Sequence, residues 1–275
     1  MITSSAQLSP GVPTADQPCI ASQANTLGCL VSKILSRTAP TVVGFGEIHH
    51  DGKADRSTLE QFTREVVPLL RRRGFRHLVL EFLLSDQEVR HELAAYREAR
   101  ITLDQKQAPR LFAYAAMPEH RGFRELLATC RRLGITIHPG GPTSQEYYQP
   151  ENQAELKVNK PWPRNVKLFG QSLAKAIGRI LADGQKVASY SGLRHNDLLG
   201  SETAGSFVPA LKQSSRTRYV EIDLIGRQLL AQQLHPLVGT QQDYAVKLRE
   251  HEQAALSSRQ AAVNPRPNQF TIFLR

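Results

Sequence analysis

Short apolar runs alternate along this chain with longer stretches in which apolar residues recur every three or four positions, a pattern that predicts strands joined by helices. Thr41 to Gly46 reads as a buried strand, preceded by a helix over Asn25 to Ser36 that Pro40 closes off. Ser57 with Glu60 has the form of a capping box, and Leu59, Phe62, Val66, Leu69 and Leu70 keep helical spacing up to Gly74, with Pro68 expected to kink the helix. A second buried strand follows at His77 to Phe82, then a helix capped by Ser85 and Glu88 that runs to about Arg100. The order repeats with a helix at Glu119 to Leu133, a strand at Ile135 to His138, a helix at Asn165 to Ala182 and a strand at Lys186 to Ser191. Later come a strand at Arg218 to Leu224, a helix at Thr240 to Leu256 and a last strand at Gln269 to Leu274.

This β-α-β-α order implies an α/β fold of three layers, with a mostly parallel central sheet and crossover helices. The last strand has no crossover after it and is expected to pair antiparallel at the sheet edge. Residues 1–25 are polar, with Asp16 as the only acid, and read as a flexible leader. Residues 26–275 then form one α/β domain. The proline- and tyrosine-bearing stretch from Gly140 to Pro163 reads as a lid or substrate loop.

Composition alters this picture in three places. The formal net charge of +10 suggests nucleic acid, yet Arg71-Arg72-Arg73 and Arg131-Arg132 sit at predicted helix C-termini, where cations offset the helix dipole. No aromatic-interleaved basic stripe accompanies them, so no nucleic-acid partner is expected. Three cysteines without a C-x-x-C pair argue against a disulfide framework or a cysteine zinc site. No apolar run approaches about 18 residues, so no membrane span is expected, and a cytoplasmic location is the first reading in the absence of a secretory signal pattern.

Chemistry gathers at the predicted strand ends. The first strand runs straight into Gly46-Glu47-Ile48-His49-His50-Asp51, and Gly44 and Gly46 leave room for close approach of backbone or ligand. Strand alternation sends Glu47 and His49 to one side and His50 to the other. Glu81 ends the second strand, where an acid costs several kcal/mol (of order 2–7) unless it is paired, coordinated or open to a cleft. The fourth strand ends in Gly192-Leu193-Arg194-His195-Asn196-Asp197. There Arg194 suits an oxyanion, His195 a base or ligand, and Asn196 or Asp197 an orienting partner for the imidazole. Ligands of open parallel sheets bind at the C-terminal strand ends, which puts Glu47, Glu81 and His195 on one edge. His138 also ends a strand and stands in reserve. No G-x-x-x-x-G-K-[ST], G-x-G-x-x-G or G-x-S-x-G is present, which speaks against nucleotide-dependent and serine-hydrolase chemistry.

Gly46-Glu47-Ile48-His49-His50, the Leu80-Glu81-Phe82 strand end and the Gly192 to Asp197 stretch together resemble the superfamily of erythromycin esterase, ChaN-like haem-binding and TraB/TIKI proteins. The resemblance implies a shared cleft built from Glu47 with His49 or His50, from Glu81 and from His195. Its members open lactones, cleave peptides with a metal, or bind haem, so the fold leaves the activity open.

The leading reading is a hydrolase of an ester, lactone or amide bond acting on a small-molecule or peptide substrate. Glu47 or Glu81 polarises water, His195 moves the proton and Arg194 steadies the oxyanion. A divalent metal, zinc or manganese, held by Glu47, His49, Glu81 and His195 is the alternative activator. The runner-up is a haem- or metal-binding protein without catalysis, with Tyr147 and Tyr148 as further ligands. A third reading is a secreted bacterial effector of the same fold.

Overall fold

The computed structural model describes residues 26–47, 58–150, 163–198, 205–212, 218–226, 262–266 and 268–274. Among these residues the sheet has seven strands in the order β3-β2-β4-β1-β5-β7-β6. They are β1 (Val42–Glu47), β2 (His77–Leu80), β3 (Thr136–Pro139), β4 (Val187–Gly192), β5 (Tyr219–Gly226), β6 (Ala262–Arg266) and β7 (Gln269–Leu274). All neighbours pair parallel except β6 with β7. The antiparallel edge strand is therefore β6, whereas the last strand, β7, lies inside the sheet and runs parallel to β5. That corrects the expectation for Gln269 to Leu274: a β6 too irregular to stand out in the sequence takes the edge in its place.

Two cores of unequal size sandwich the sheet. On one face Val43, Phe45, Leu78, Leu80, Ala188, Tyr190, Val220, Ile222, Phe270 and Ile272 pack beneath the helices Leu27–Thr38, Val67–Arg72, Gln87–Arg97 and Phe123–Leu133. On the other, Val42, Val79, Val187 and Tyr219 meet Leu173, Ile177 and Ile180 of the helix Pro163–Ala182, together with Phe207, Val208 and Leu211. Alternation along each strand produces this division, and burial on both faces explains why β1 reads as a continuous apolar run.

Several local expectations are met by other residues. Thr26 caps the first helix, its hydroxyl accepting from the Cys29 amide at 3.3 Å. Helix continues from Thr58 to Arg72 but opens into a π turn at Phe62–Val66, just before Pro68, whose ring nitrogen has no hydrogen to donate. Ser57 lies outside the described residues. The Ser85–Glu88 capping box does not form: Asp86 is the N-cap, and its carboxylate instead accepts from the Ser144 amide (2.7 Å) and hydroxyl. A complete capping box occurs at Thr143 and Glu146, opening a short helix at Ser144–Tyr147 inside the stretch read as a loop. The helix predicted from Glu119 begins at Phe123, after a turn in which Gly122 has φ 94°. The sequence gives no cue to the helix Pro109–Ala116; buried Glu92 accepts from its first amides, Arg110 (3.2 Å) and Leu111 (2.9 Å). The predicted helix at Thr240 to Leu256 and the leader at residues 1–25 both fall outside the described residues. Cys29 is disulfide-bonded, while Cys130 is a free, buried thiol whose pKa burial pushes up to about 12. No described helix is long and apolar enough to cross a membrane.

Candidate active site

The chain leaves β1 toward β2 on one side, and leaves β4, which lies beside β1, toward β5 on the other. This reversal of direction makes the C-terminal ends of β2, β4 and β1 the natural crevice of the sheet. Glu47 ends β1 opposite Gly192 of β4, and Glu81 follows β2, its amide donating to the Tyr190 carbonyl at 3.1 Å. The Gly192 amide in turn donates to Glu81 Oε2 at 2.6 Å. Gly192 is thus held by the Glu81 carboxylate and pairs through the strand register with Glu47.

His195 enters the crevice from the single helical turn Leu193–Asn196 that follows β4 directly. Its Nδ1 lies 2.8 Å from the Gly205 carbonyl, which can only accept, so Nδ1 carries hydrogen. That leaves Nε2 facing Glu81 Oε1 at 3.4 Å, with both side chains buried. An unprotonated nitrogen opposite a carboxylate is repulsive, so the couple is stabilised when a proton or a cation comes between them. On the other face of β4 the Tyr190 hydroxyl donates to Glu47 Oε2. Burial, followed by the nearby Glu47 carboxylate, raises the Tyr190 pKa well above the usual phenol value, so it stays a donor.

Below the crevice is a buried polar layer that sequence reasoning missed. Glu221 and Asp223 of β5 share a sheet face with Gly44 and Gly46 of β1 and with Ser189 and Ser191 of β4. Glu221 accepts from the Leu198 amide at 2.7 Å and from Gln269 Nε2 at 3.0 Å. Asp223 is hydrogen-bonded to Glu221 and to Asn196. Asn196 Nδ2 donates to the Gly44 carbonyl at 3.0 Å, and the Tyr219 hydroxyl donates to the Asn196 carbonyl at 2.6 Å. The turn carrying His195 is thus held from beneath on both sides. The space over Gly44 and Gly46 is taken by Asn196, Tyr219 and Asp223, not by a ligand. Likewise the imidazole is oriented by the Gly205 carbonyl and not by Asn196, which turns inward. A signal for the layer did exist: in Val220-Glu221-Ile222-Asp223-Leu224 two acids alternate with aliphatic residues in the middle of a buried strand.

Burial raises the Glu221 pKa to about 7 against the opposing hydrogen bonds, and burial followed by Glu221 raises Asp223 well above the usual carboxylate range. A carboxyl with a raised folded-state pKa binds more protons folded than unfolded. Its stabilising contribution is complete below about pH 4.5 and is lost as pH rises through about 7. Glu221→Gln keeps an acceptor for the Leu198 amide and removes the titration. Wild-type stability measured by urea unfolding is expected to fall by about 2–3 kcal/mol between pH 4.5 and 8 relative to this variant. Parallel pH profiles for the two proteins would exclude the effect.

The remaining candidates separate. His49 and His50 lie outside the described residues, as does the side chain of Arg194. The Tyr147 ring packs edge-on against Phe169 (5.8 Å between centroids), and Phe169 lies 6.0 Å from the His195 ring, so Phe169 bridges Tyr147 and His195. Tyr148 is 61% exposed. His138 stands on β3 away from the crevice, 2.9 Å from His77, and burial followed by His77 and nearby arginines lowers its pKa to about 4. Among the described residues no group of three or more His, Cys, Asp and Glu side chains is arranged to hold a metal.

No family model matches the sequence, and no curated protein matches it. Solved structures do. RRSP, a MARTX toxin effector domain from Vibrio vulnificus CMCP6, is similar at 16% identity and TM-score 0.51, over 73% of this chain and 36% of that one. The type III effector HopBA1 is similar at 15% identity and TM-score 0.42, over 70% and 80%. ChaN of Campylobacter jejuni, a haem-binding protein, is similar at 13% identity and TM-score 0.44, over 70% and 85%. The likeness is one of fold. This chain spans little more than a third of the RRSP structure it matches.

Proposed function

We propose that the chain is a hydrolase of an ester, lactone or amide bond whose attacking water is activated at the Glu81–His195 couple. The observation that supports it is the fixed tautomer of His195: with Nδ1–H bound to the Gly205 carbonyl, Nε2 is the nitrogen left for chemistry, and it faces a buried carboxylate. In the reaction Nε2 takes a proton from water as its oxygen attacks the carbonyl carbon, and Glu81 stabilises the imidazolium that forms. The same proton then passes to the departing alcohol or amine as its bond to carbon breaks. Arg194, next to His195 in sequence, is the residue assigned to steady the oxyanion.

Glu81 and His195 could also serve as two ligands of a divalent ion, although no third described side chain joins them. Ligands about 2.0–2.1 Å from a tetrahedral metal stand roughly 3.4 Å apart, the Glu81 Oε1 to His195 Nε2 separation. An ion held there would lower the pKa of bound water. The test is hydrolysis of a panel of esters, lactones and peptides by the wild type and Glu81→Gln, with and without chelator, beside plasma mass spectrometry of both proteins. Turnover that Glu81→Gln lacks supports the reading, and its response to chelator separates the two activators. A panel on which the two proteins behave alike would sink it, and a Soret band from bound haem without turnover would favour the haem-binding alternative. The disulfide at Cys29 supports a working place outside the reducing cytoplasm, since such bonds persist in oxidising compartments. Intact mass before and after reduction reads whether the bridge is present in the isolated protein.

A further inference from the structure

At the end of the sheet opposite β6, β3 is an edge strand with all four residues half-buried. Thr136 N–H bonds the Arg76 carbonyl and Gly140 N–H the Leu80 carbonyl, both at 2.8 Å and both toward β2. Alternate residues of a parallel ladder direct their groups to opposite sides, so the Ile137 N–H and C=O and the Pro139 C=O point away from the sheet. The helix Gln87–Arg97 on one face and the helix Pro163–Ala182 on the other both flank this edge and leave a cleft of about 650 Å³ along it. Among the described residues the three-layer sandwich has its two helical walls here but no strand between them.

The walls are cationic. Arg90 and Arg97 line the cleft from one helix, and Lys175 and Arg179 from the other, spaced as a helix face requires. All four are exposed. Arg97 pairs with Glu98 at 3.3 Å, but among the described residues Arg90, Lys175 and Arg179 form no ion pair. The acids lining the cleft are Glu146 and Asp183. His77 and His138 add no positive charge at neutral pH, because burial lowers the pKa of each.

We infer that this cleft binds an extended acidic peptide segment of another protein, which adds to β3 as a further strand with its carboxylates against Arg90, Lys175 and Arg179. The main-chain groups of Ile137 would supply the ladder, and the unpaired cations the selectivity. A four-residue partner strand spans about 13 Å, the length of β3. The 1–25 segment of the chain itself is a poor match, having one acid, Asp16. This surface is separate from Glu81 and His195 and does not depend on the chemistry proposed there.

The test is fluorescence anisotropy with a labelled, capped hexapeptide of alternating glutamate and valine, titrated with the full chain. Saturable binding is expected. It should weaken at least about tenfold for Lys175→Glu/Arg179→Glu, whose fold is checked by circular dichroism and thermal unfolding. It should weaken similarly when the peptide is N-methylated on alternate amides, which removes ladder hydrogen bonds and leaves charge intact. Absence of saturable binding, equal affinity for the N-methylated peptide, or equal affinity of a folded charge-reversal variant overturns the inference. Displacement by millimolar inorganic phosphate or by a single-stranded oligonucleotide at lower concentration than an unlabelled peptide also overturns it, in favour of a phosphate or nucleic-acid site. Should the charge-reversal variant dimerise in sedimentation while the wild type ignores the peptide, the cations merely protect an open edge.

Discussion

Gly44→Ala is expected to destabilise the protein by about 3–5 kcal/mol, a loss large enough to read as failure to accumulate folded chain. A β-carbon at this position would overlap the Asn196 side-chain oxygen and the Tyr219 hydroxyl and would come within 2.8 Å of Asn196 Cγ. Asn196 and Tyr219 cannot yield cheaply, because both are buried and hydrogen-bonded to each other and, through Asn196 Nδ2, to the Gly44 carbonyl itself. Moving them leaves polar groups unsatisfied as well as crowding the layer. Urea unfolding of the variant beside the wild type measures the loss. If the overlap is its cause, Gly44→Ala should cost less in an Asn196→Gly background than alone, because one of the two clashing side chains is gone. A midpoint for Gly44→Ala within about 0.5 kcal/mol of wild type would show that the turn can move away from β1, and the account of the buried layer would be wrong.

His195→Asn is expected to lower turnover on whichever ester, lactone or amide substrate the panel identifies by about 10²- to 10⁴-fold, with little change in unfolding temperature. The asparagine amide sits close to the position of Nδ1 and can still donate to the Gly205 carbonyl, so the turn keeps its tether. What disappears is Nε2, the nitrogen 3.4 Å from Glu81 Oε1. A structural role for His195 would move stability and leave the pH dependence of the rate unaltered; a proton-transfer role would remove the fall in rate on the acidic side that a general base imposes. Undiminished kcat in a folded His195→Asn protein would take His195 out of the mechanism. Because the proposed mechanism has Glu81 and His195 act on one reacting water, the loss in a Glu81→Gln/His195→Asn double variant is expected to be far smaller than the product of the two single losses.

The elements legible in the chain were those with a strong period or an uninterrupted apolar run. β1, β2, β4 and β5 lie within a residue or two of their expected places because burial on both faces requires such runs. Glu81 and His195 were legible for the converse reason: polar residues at the end of an apolar strand are costly unless something uses or pairs them. Where local chemistry was ambiguous, the readings failed. Ser85 and Glu88 have the form of a capping box, yet Asp86 serves the helix start and ties it to Ser144, 58 residues on. The edge position expected of β7 went to β6, because only the register with β5 shows that β7 lies inside the sheet.

The order of the strongly patterned strands and helices, the three-layer class and the three polar strand ends follow from the residues alone, since period and burial preference act over short stretches of chain. The meaning of the glycines does not. Gly44 and Gly46 carry no local mark that their missing side chains make room for Asn196, Tyr219 and Asp223, which lie about 150 to 180 residues further along the chain. Nor does a histidine in the sequence disclose its tautomer, which here depends on a carbonyl ten residues away, or its partner, a carboxylate more than a hundred residues earlier. Pairing and proton placement depend on distances of a few ångströms between segments remote in sequence, and those distances exist only once the sheet has assembled.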